Sequence, residues 1–290
     1  MNMLDNKKRR KHQPFKFYTF MMVFMLAMSL SLLSGCGDKD VSSDELQKQD
    51  EIVQNDMASE EYDDEQDANE NESETALIGS GKTIVIDPGH QGKGNPEKEP
   101  IAPGATEMKA KVASGTTGRT TGVPEYQLTL DVSLKLKDAL IAQGYEVLMT
   151  RETNDVNISN AERAQIANKA NADAFIRIHA NGSEDSSVSG TMTLCQTENN
   201  PYNGHLFEKS YALSEYILDG IVEKAGSKKQ YVWKTDTMSG INWCTVPVTI
   251  VEMGYMTNPE EDIKMQTEEY QNLIVDGIVS GVNKYFEESR

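Results

Sequence analysis

From Lys82 onward the chain alternates short apolar runs with longer amphipathic stretches, and this continues almost to Arg290. The β-branched run Thr83-Ile84-Val85-Ile86-Asp87, halted by Pro88-Gly89, predicts a buried strand feeding a tight turn, with His90 just past its end. Leu128, Val132, Leu136 and Leu140 recur at helical spacing between Pro124 and Gly144, which predicts a helix from Glu125 to about Gln143 with an acid in its first turn. Tyr145 to Thr150 reads as a second strand. Ser159 followed by Glu162 is a capping-box pattern and opens a helix to about Asn171. A third strand, Ala174 to His179, again stops at a histidine. Gly190 to Cys195 reads as a strand, about Leu206 to Lys224 as a helix, Pro247 to Glu252 as a last buried strand, and about Glu268 to Phe286 as a closing helix. Residues 91 to 123 are rich in Gly, Pro, Thr and Lys without a sustained period, so they read as a long loop.

Strands alternating with helices predict an α/β fold: a three-layer α-β-α arrangement around a mostly parallel, twisted sheet. Ligands in such sheets bind outside the carboxyl ends of the strands. His90, His179 and Glu252 are all predicted at such ends. No internal repeat is visible.

Composition divides the chain further. Residues 1 to 36 carry a basic cluster, Lys7 to Lys11, then an apolar run from about Phe17 to Leu33, the layout of a secretory signal. The sequence Leu33-Ser34-Gly35-Cys36 resembles a bacterial lipobox, which implies lipidation of Cys36, cleavage before it and an anchor in the membrane. An uncleaved signal anchor is the alternative; both place the rest of the chain outside the cytoplasm. Residues 37 to 80 hold sixteen acidic and two basic side chains and few branched apolar ones, so they are expected to form a disordered tether. Residues 81 to 290, with twenty basic and twenty-nine acidic side chains, are left as the single folded catalytic domain. The net charge of -18 argues against nucleic acid as a partner, because phosphate neutralisation supplies most of that affinity. With Cys36 reserved for lipid, Cys195 and Cys244 are candidates for a disulfide in an oxidising space.

Of four histidines in the chain, His90 and His179 both terminate predicted strands of one sheet. Together with Glu125, entering a helix beside the same edge, they make a two-histidine, one-carboxylate set suited to catalytic zinc with a position left for water. Either histidine alone is more simply a hydrogen-bonded structural residue.

Four ordered segments then resemble a known family, the zinc-dependent N-acetylmuramoyl-L-alanine amidases of type 3. They are Ile84 to His90, Pro124 to Leu128, Ile178 to Asn181 and Val251 to Asn258, with Thr150-Arg151 and Ala161-Glu162-Arg163 also similar to the family pattern. The resemblance covers residues 82 to 288. It implies that His90, Glu125 and His179 hold Zn2+, that Glu252 is the catalytic carboxylate, and that the substrate is peptidoglycan, cut between N-acetylmuramic acid and L-alanine. Taken together, these expectations describe a lipid-anchored extracytoplasmic hydrolase facing the cell wall.

Two departures from the family stand out: residues 91 to 123 are longer than its usual connection, and Arg177 replaces a common serine two residues before His179. Arg177 either contacts substrate or a developing oxyanion, or pairs with a neighbouring acid. Asp87 either orients His90 or caps the Pro88-Gly89 turn. Asn181 serves substrate or the turn after its strand. Trp233 and Trp243 are sugar-stacking candidates or plain core and rim aromatics, and His205 is expected at the surface. Rival functions are a non-catalytic wall-binding or regulatory lipoprotein and another zinc hydrolase, such as a peptidoglycan carboxypeptidase. Protein activators are not legible.

Overall fold

In the computed structural model, which describes residues 78 to 289, strand β1 (Thr83–Pro88) is buried along almost its whole length. It lies between two parallel neighbours, β4 (Glu146–Met149) and β5 (Ala174–Asn181). The next strand, β8 (Val248–Tyr255), is also parallel to β5. Beyond it β6 (Thr191–Cys195) runs antiparallel to β8, and β7 (Lys229–Lys234) closes the far edge parallel to β6. The order is β4-β1-β5-β8-β6-β7, a mostly parallel sheet with one antiparallel step. The expectations for the signal segment, Cys36 and the tether up to residue 77 fall outside the described residues. Among those described, no helix is long and apolar enough to cross a membrane.

Helices cover both faces, because the strands are apolar on both. On one side lie α1 (Glu125–Ala142), α3 (Phe207–Ala225) and α6 (Glu268–Glu288), burying Leu128, Leu136, Leu213, Ile217, Ile274 and Ile278 against the sheet. Two of them approach very closely: a Cβ on Gly220 would overlap the backbone of Gly277, and one on Gly277 would overlap Ile221. The other face carries α2 (Asn160–Lys169) and the short α4 (Ser239–Asn242), with Phe175, Leu194 and Ile250 beneath. The predicted capping box is present at Ser159 and Glu162. After β8, Asn258 caps α5 (Pro259–Met265), whose Pro259 needs no hydrogen-bond partner in the first turn.

Four expectations need correction. Residues 91 to 123 are not simply loop: β2 (Asn95–Pro100) and β3 (Met108–Val112) form an antiparallel hairpin. It carries no apolar stripe because polar contacts secure it. Glu99 is buried and accepts the Ala161 N–H at 3.1 Å, and Trp243 Nε1 donates to the Pro100 carbonyl at 2.9 Å. Strands β5 and β8 do not stop at His179 and Glu252 but run on to Asn181 and Tyr255. The edge strand β7 and helix α5 carry no sequence prediction, since each is short and mostly exposed. Cys195 and Cys244 are both free, buried thiols and form no disulfide.

Candidate active site

Register places the first two groups. His179 on β5 and Glu252 on β8 are direct partners on neighbouring parallel strands, so their side chains leave the sheet on the same face. One strand further, the chain leaves β1 through Pro88 and Gly89 and turns sharply at His90, whose φ of 61° is left-handed, a rare state for a residue with a side chain. Such backbone persists only where its surroundings hold it. Arg163 NH2 donates to the His90 carbonyl at 2.8 Å and its NH1 to that of Pro88 at 2.9 Å. Arg151 donates to Pro88 and Gly89 and also to Tyr126 in the first turn of α1. Two buried guanidinium groups therefore fix the histidine turn and tie it to the helix that carries Glu125.

Glu125 is 3% exposed and lies between the two rings, its Oε1 3.0 Å from His90 Nε2 and 3.1 Å from His179 Nδ1. The backbone N–H groups of Thr116 and Ala180 donate to its two oxygens. Gly115 passes so close that a Cβ there would stand 2.9 Å from the His90 ring and 3.0 Å from Glu125 Oε2, and its φ of 82° also favours glycine. The single donor atoms that His90, Glu125 and His179 offer all lie within 4.8 Å of one another.

Electrostatics separate the members of the site. Burial alone pushes the Glu125 carboxyl up, but hydrogen bonds from His179 and His90 outweigh this and hold it well below the usual carboxylate range. Loss of hydration lowers His179 to about 4 despite the adjacent carboxylate, so its ring is neutral at pH 7. Glu252 moves the other way, to about 8, first because its charge is poorly hydrated and then because Glu125 repels it, with Arg177 opposing. Its Oε2 is buried without a hydrogen-bond partner, as is His179 Nε2. These groups line a cleft of about 650 Å3, walled by Met108, Lys109 and Ala110 of the hairpin on one side and by Leu194 and Ile250 in the sheet.

The other sequence candidates separate clearly. Asp87 touches neither His90 nor the turn as a cap. It is fully buried, accepting from Arg163 NH1 at 2.7 Å, Arg177 Nε at 2.8 Å and the Thr150 hydroxyl. Arg177 thus takes the ion-pair role, with Asn160 as its second partner at 2.9 Å, although it also borders the cleft. Asn181 accepts from the Gly182 N–H at its own turn and borders the cleft as well. His205 is exposed on a 3-10 turn away from the cleft, Trp243 is half-buried under the hairpin, and Trp233 is 43% exposed on β7. Arg151 and Arg163 carried a recognisable pattern but no predicted role, because an arginine bonded to carbonyl oxygens leaves no spacing signal.

A profile of the N-acetylmuramoyl-L-alanine amidase family matches residues 84 to 284. The chain belongs to that family. It is 30% identical over 208 residues to the protein YqiI of Bacillus subtilis, covering 72% of this chain and 86% of that one. It is 27% identical over 212 residues to the N-acetylmuramoyl-L-alanine amidase Rv3717 of Mycobacterium tuberculosis, covering 70% and 86%. Among solved structures, the amidase Ami1 of Mycobacterium smegmatis matches with a TM-score of 0.66 at 25% identity, over 72% of this chain and 99% of that one. The amidase described here is therefore an enzyme of peptidoglycan breakdown, and the arginine-held histidine turn, the helix-borne Glu125 and the paired strands β5 and β8 are the frame of its cleft.

Proposed function

We propose that the chain is a zinc-dependent hydrolase that cleaves the amide between N-acetylmuramic acid and the L-alanine of the stem peptide, with His90, Glu125 and His179 as metal ligands and Glu252 as general base and acid. The observation that carries this is the convergence of His90, Glu125 and His179, whose ligand atoms all lie within 4.8 Å of one another. His90 Nδ1 faces the Ala113 carbonyl at 2.9 Å and its Nε2 faces the Glu125 carboxylate at 3.0 Å, both acceptors. An imidazole that donates from Nδ1 to a carbonyl and loses its other proton presents an Nε2 lone pair suited to a metal. With the proton on Nδ1, His90 Nε2 and the Glu125 carboxylate would hold a cation, and the neutral His179 ring would add a third donor.

Bound zinc supplies an acidified water and polarises the amide carbonyl. The chain's own residues do the rest. Glu252 Oε2, buried beside the three proposed ligands with no hydrogen-bond partner, accepts the proton of the attacking water and passes it to the alanine nitrogen as the C–N bond breaks. The products are a lactyl carboxylate and a free amine. Its raised proton affinity suits the second task. The hairpin walls the cleft and narrows the approach of the peptide. Residues 1 to 36 serve as a lipoprotein signal with Cys36 as the anchor site, residues 37 to 80 as the acidic spacer, and the partners are peptidoglycan and the membrane surface.

The test is direct. The chain incubated with zinc and purified peptidoglycan releases peptides with a new N-terminal alanine. Release of a single terminal amino acid instead establishes a carboxypeptidase. Glu252→Gln retains stoichiometric metal and loses about 10²- to 10⁴-fold in kcat; full activity in that variant removes Glu252 from the mechanism.

A further inference from the structure

Two large aromatic side chains take no part in the chemistry above. Tyr231 is 57% and Trp233 43% exposed, on β7, the last strand of the sheet. Edge strands are ordinarily guarded by charge, and here Lys229 and Lys234 bracket the strand while its middle presents flat rings. Alternate residues of a strand face opposite sides. Lys234 lies over the rings of Phe207 and Tyr211 on α3, so its neighbour Trp233 faces the other side, the side of the catalytic cleft, and Tyr231 stands exposed two residues before it, beside a register shift between Lys229 and Val232.

Register makes the connection continuous. Ile250 of β8 pairs with Leu194 of β6, and Leu194 pairs with Trp233. Ile250 and Leu194 both line the cleft, so Trp233 continues the row that forms its floor. In the adjoining row Glu252 pairs with Met192. Two inter-strand steps separate β8 from β7, about 10 Å, and two residues along β7 set the rings about 7 Å apart.

We propose that Tyr231 and Trp233 form a stacking platform for the pyranose rings of the glycan strand, holding the sugars that flank the muramic acid whose amide is cut. This rests on the amidase reading of the cleft. A pyranose has apolar faces and a hydroxylated rim, which match a flat ring with a polar O–H or N–H tip. The distance from Glu252 corresponds to a disaccharide's reach. An extended sugar strand needs no deep pocket, only rings level with the cleft floor. The substrate is thus gripped by its peptide in the cleft and by its sugar on the edge.

The test compares ligands with and without sugar extension. In calorimetry of the zinc-loaded full chain, a peptide-free tetramer of β-1,4-linked N-acetylglucosamine binds, and the Tyr231→Ala/Trp233→Ala double variant binds it about tenfold more weakly. The same variant loses about tenfold in kcat/KM on polymeric peptidoglycan and nothing on a single muramoyl-peptide, and Trp233→Phe restores part of the loss. Unchanged affinity and unchanged polymer turnover overturn the platform, as does an equal loss on the single muramoyl-peptide. If the unaltered chain releases no alanine-terminated peptide yet binds the tetramer through these rings, the amidase assignment fails and the platform stands.

Discussion

Asp87 and Glu125 are both buried carboxylates flanked by two basic side chains, and they differ in what those side chains are. Asp87 lies between the guanidinium groups of Arg163 and Arg177, whose charge is permanent. Glu125 lies between two imidazoles, one of which, His179, is neutral at pH 7. The first cluster is closed: two guanidinium groups clasp one carboxylate and both aspartate oxygens are engaged. The second is open, with an anion, two ring nitrogens and a second acid, Glu252, converging on one cleft. The same local motif therefore builds a staple in one place and the proposed cation site in the other, and the two differ in whether the partners can be neutral at pH 7.

The largest test of that contrast replaces each acid in turn. Glu125→Gln removes the charge that binds the cation; atomic emission analysis of the purified chain is expected to find no stoichiometric zinc, and turnover falls to background. Asp87→Asn strands two buried guanidinium groups instead. Its cost is about 3–5 kcal/mol in urea unfolding, while the molecules that remain folded still hold zinc. Zinc retained in Glu125→Gln, or lost from folded Asp87→Asn, erases the distinction.

Acid titration sharpens it. Burial pushes the Asp87 carboxyl up, yet the coulombic pull of Arg163 and Arg177 holds it well below the ordinary range. A carboxyl depressed in the folded state stabilises the fold fully above its unfolded value, about 3.9, and that stabilisation fades as pH falls through the folded value. The urea midpoint is therefore expected to drop below about pH 4 in the native chain. In Asp87→Asn that part of the slope is missing, and an identical slope in both removes the pair from the acid sensitivity.

What was legible in the sequence follows from how each feature is held. Strands β1, β5 and β8 declare themselves through buried β-branched runs, and α1 through four leucines and valines at helical spacing. The clustering of His90, Glu125 and His179 was legible for a related reason, because each lies at or near the end of such an element, where topology brings it to one edge. The hairpin β2–β3 was not: it is fastened by Glu99, Trp243 and backbone atoms, and polar fastenings leave no period. Asp87 reads from sequence as an acid ending a strand, either orienting His90 or capping the turn, and nothing in the sequence shows that two arginines from α2 and β5 reach it.

The smallest effect tests whether the staple depends on the helix that delivers Arg163. The Ser159 side chain accepts the Glu162 N–H, and Glu162 returns the bond to the Ser159 N–H, so Ser159→Ala removes one half of a reciprocal cap. Caps of this kind are worth about 1 kcal/mol. Arg163 lies one residue beyond Glu162 and is anchored independently by five bonds, to Asp87, Pro88, Ile158, His90 and Gln91. The expected outcome in Ser159→Ala is a urea midpoint lowered by that small amount, with zinc content and kcat unchanged. A fall in kcat at full zinc loading, measured on the same preparation, shows instead that the helix start and the His90 turn move together, and that the closed cluster governs the open one.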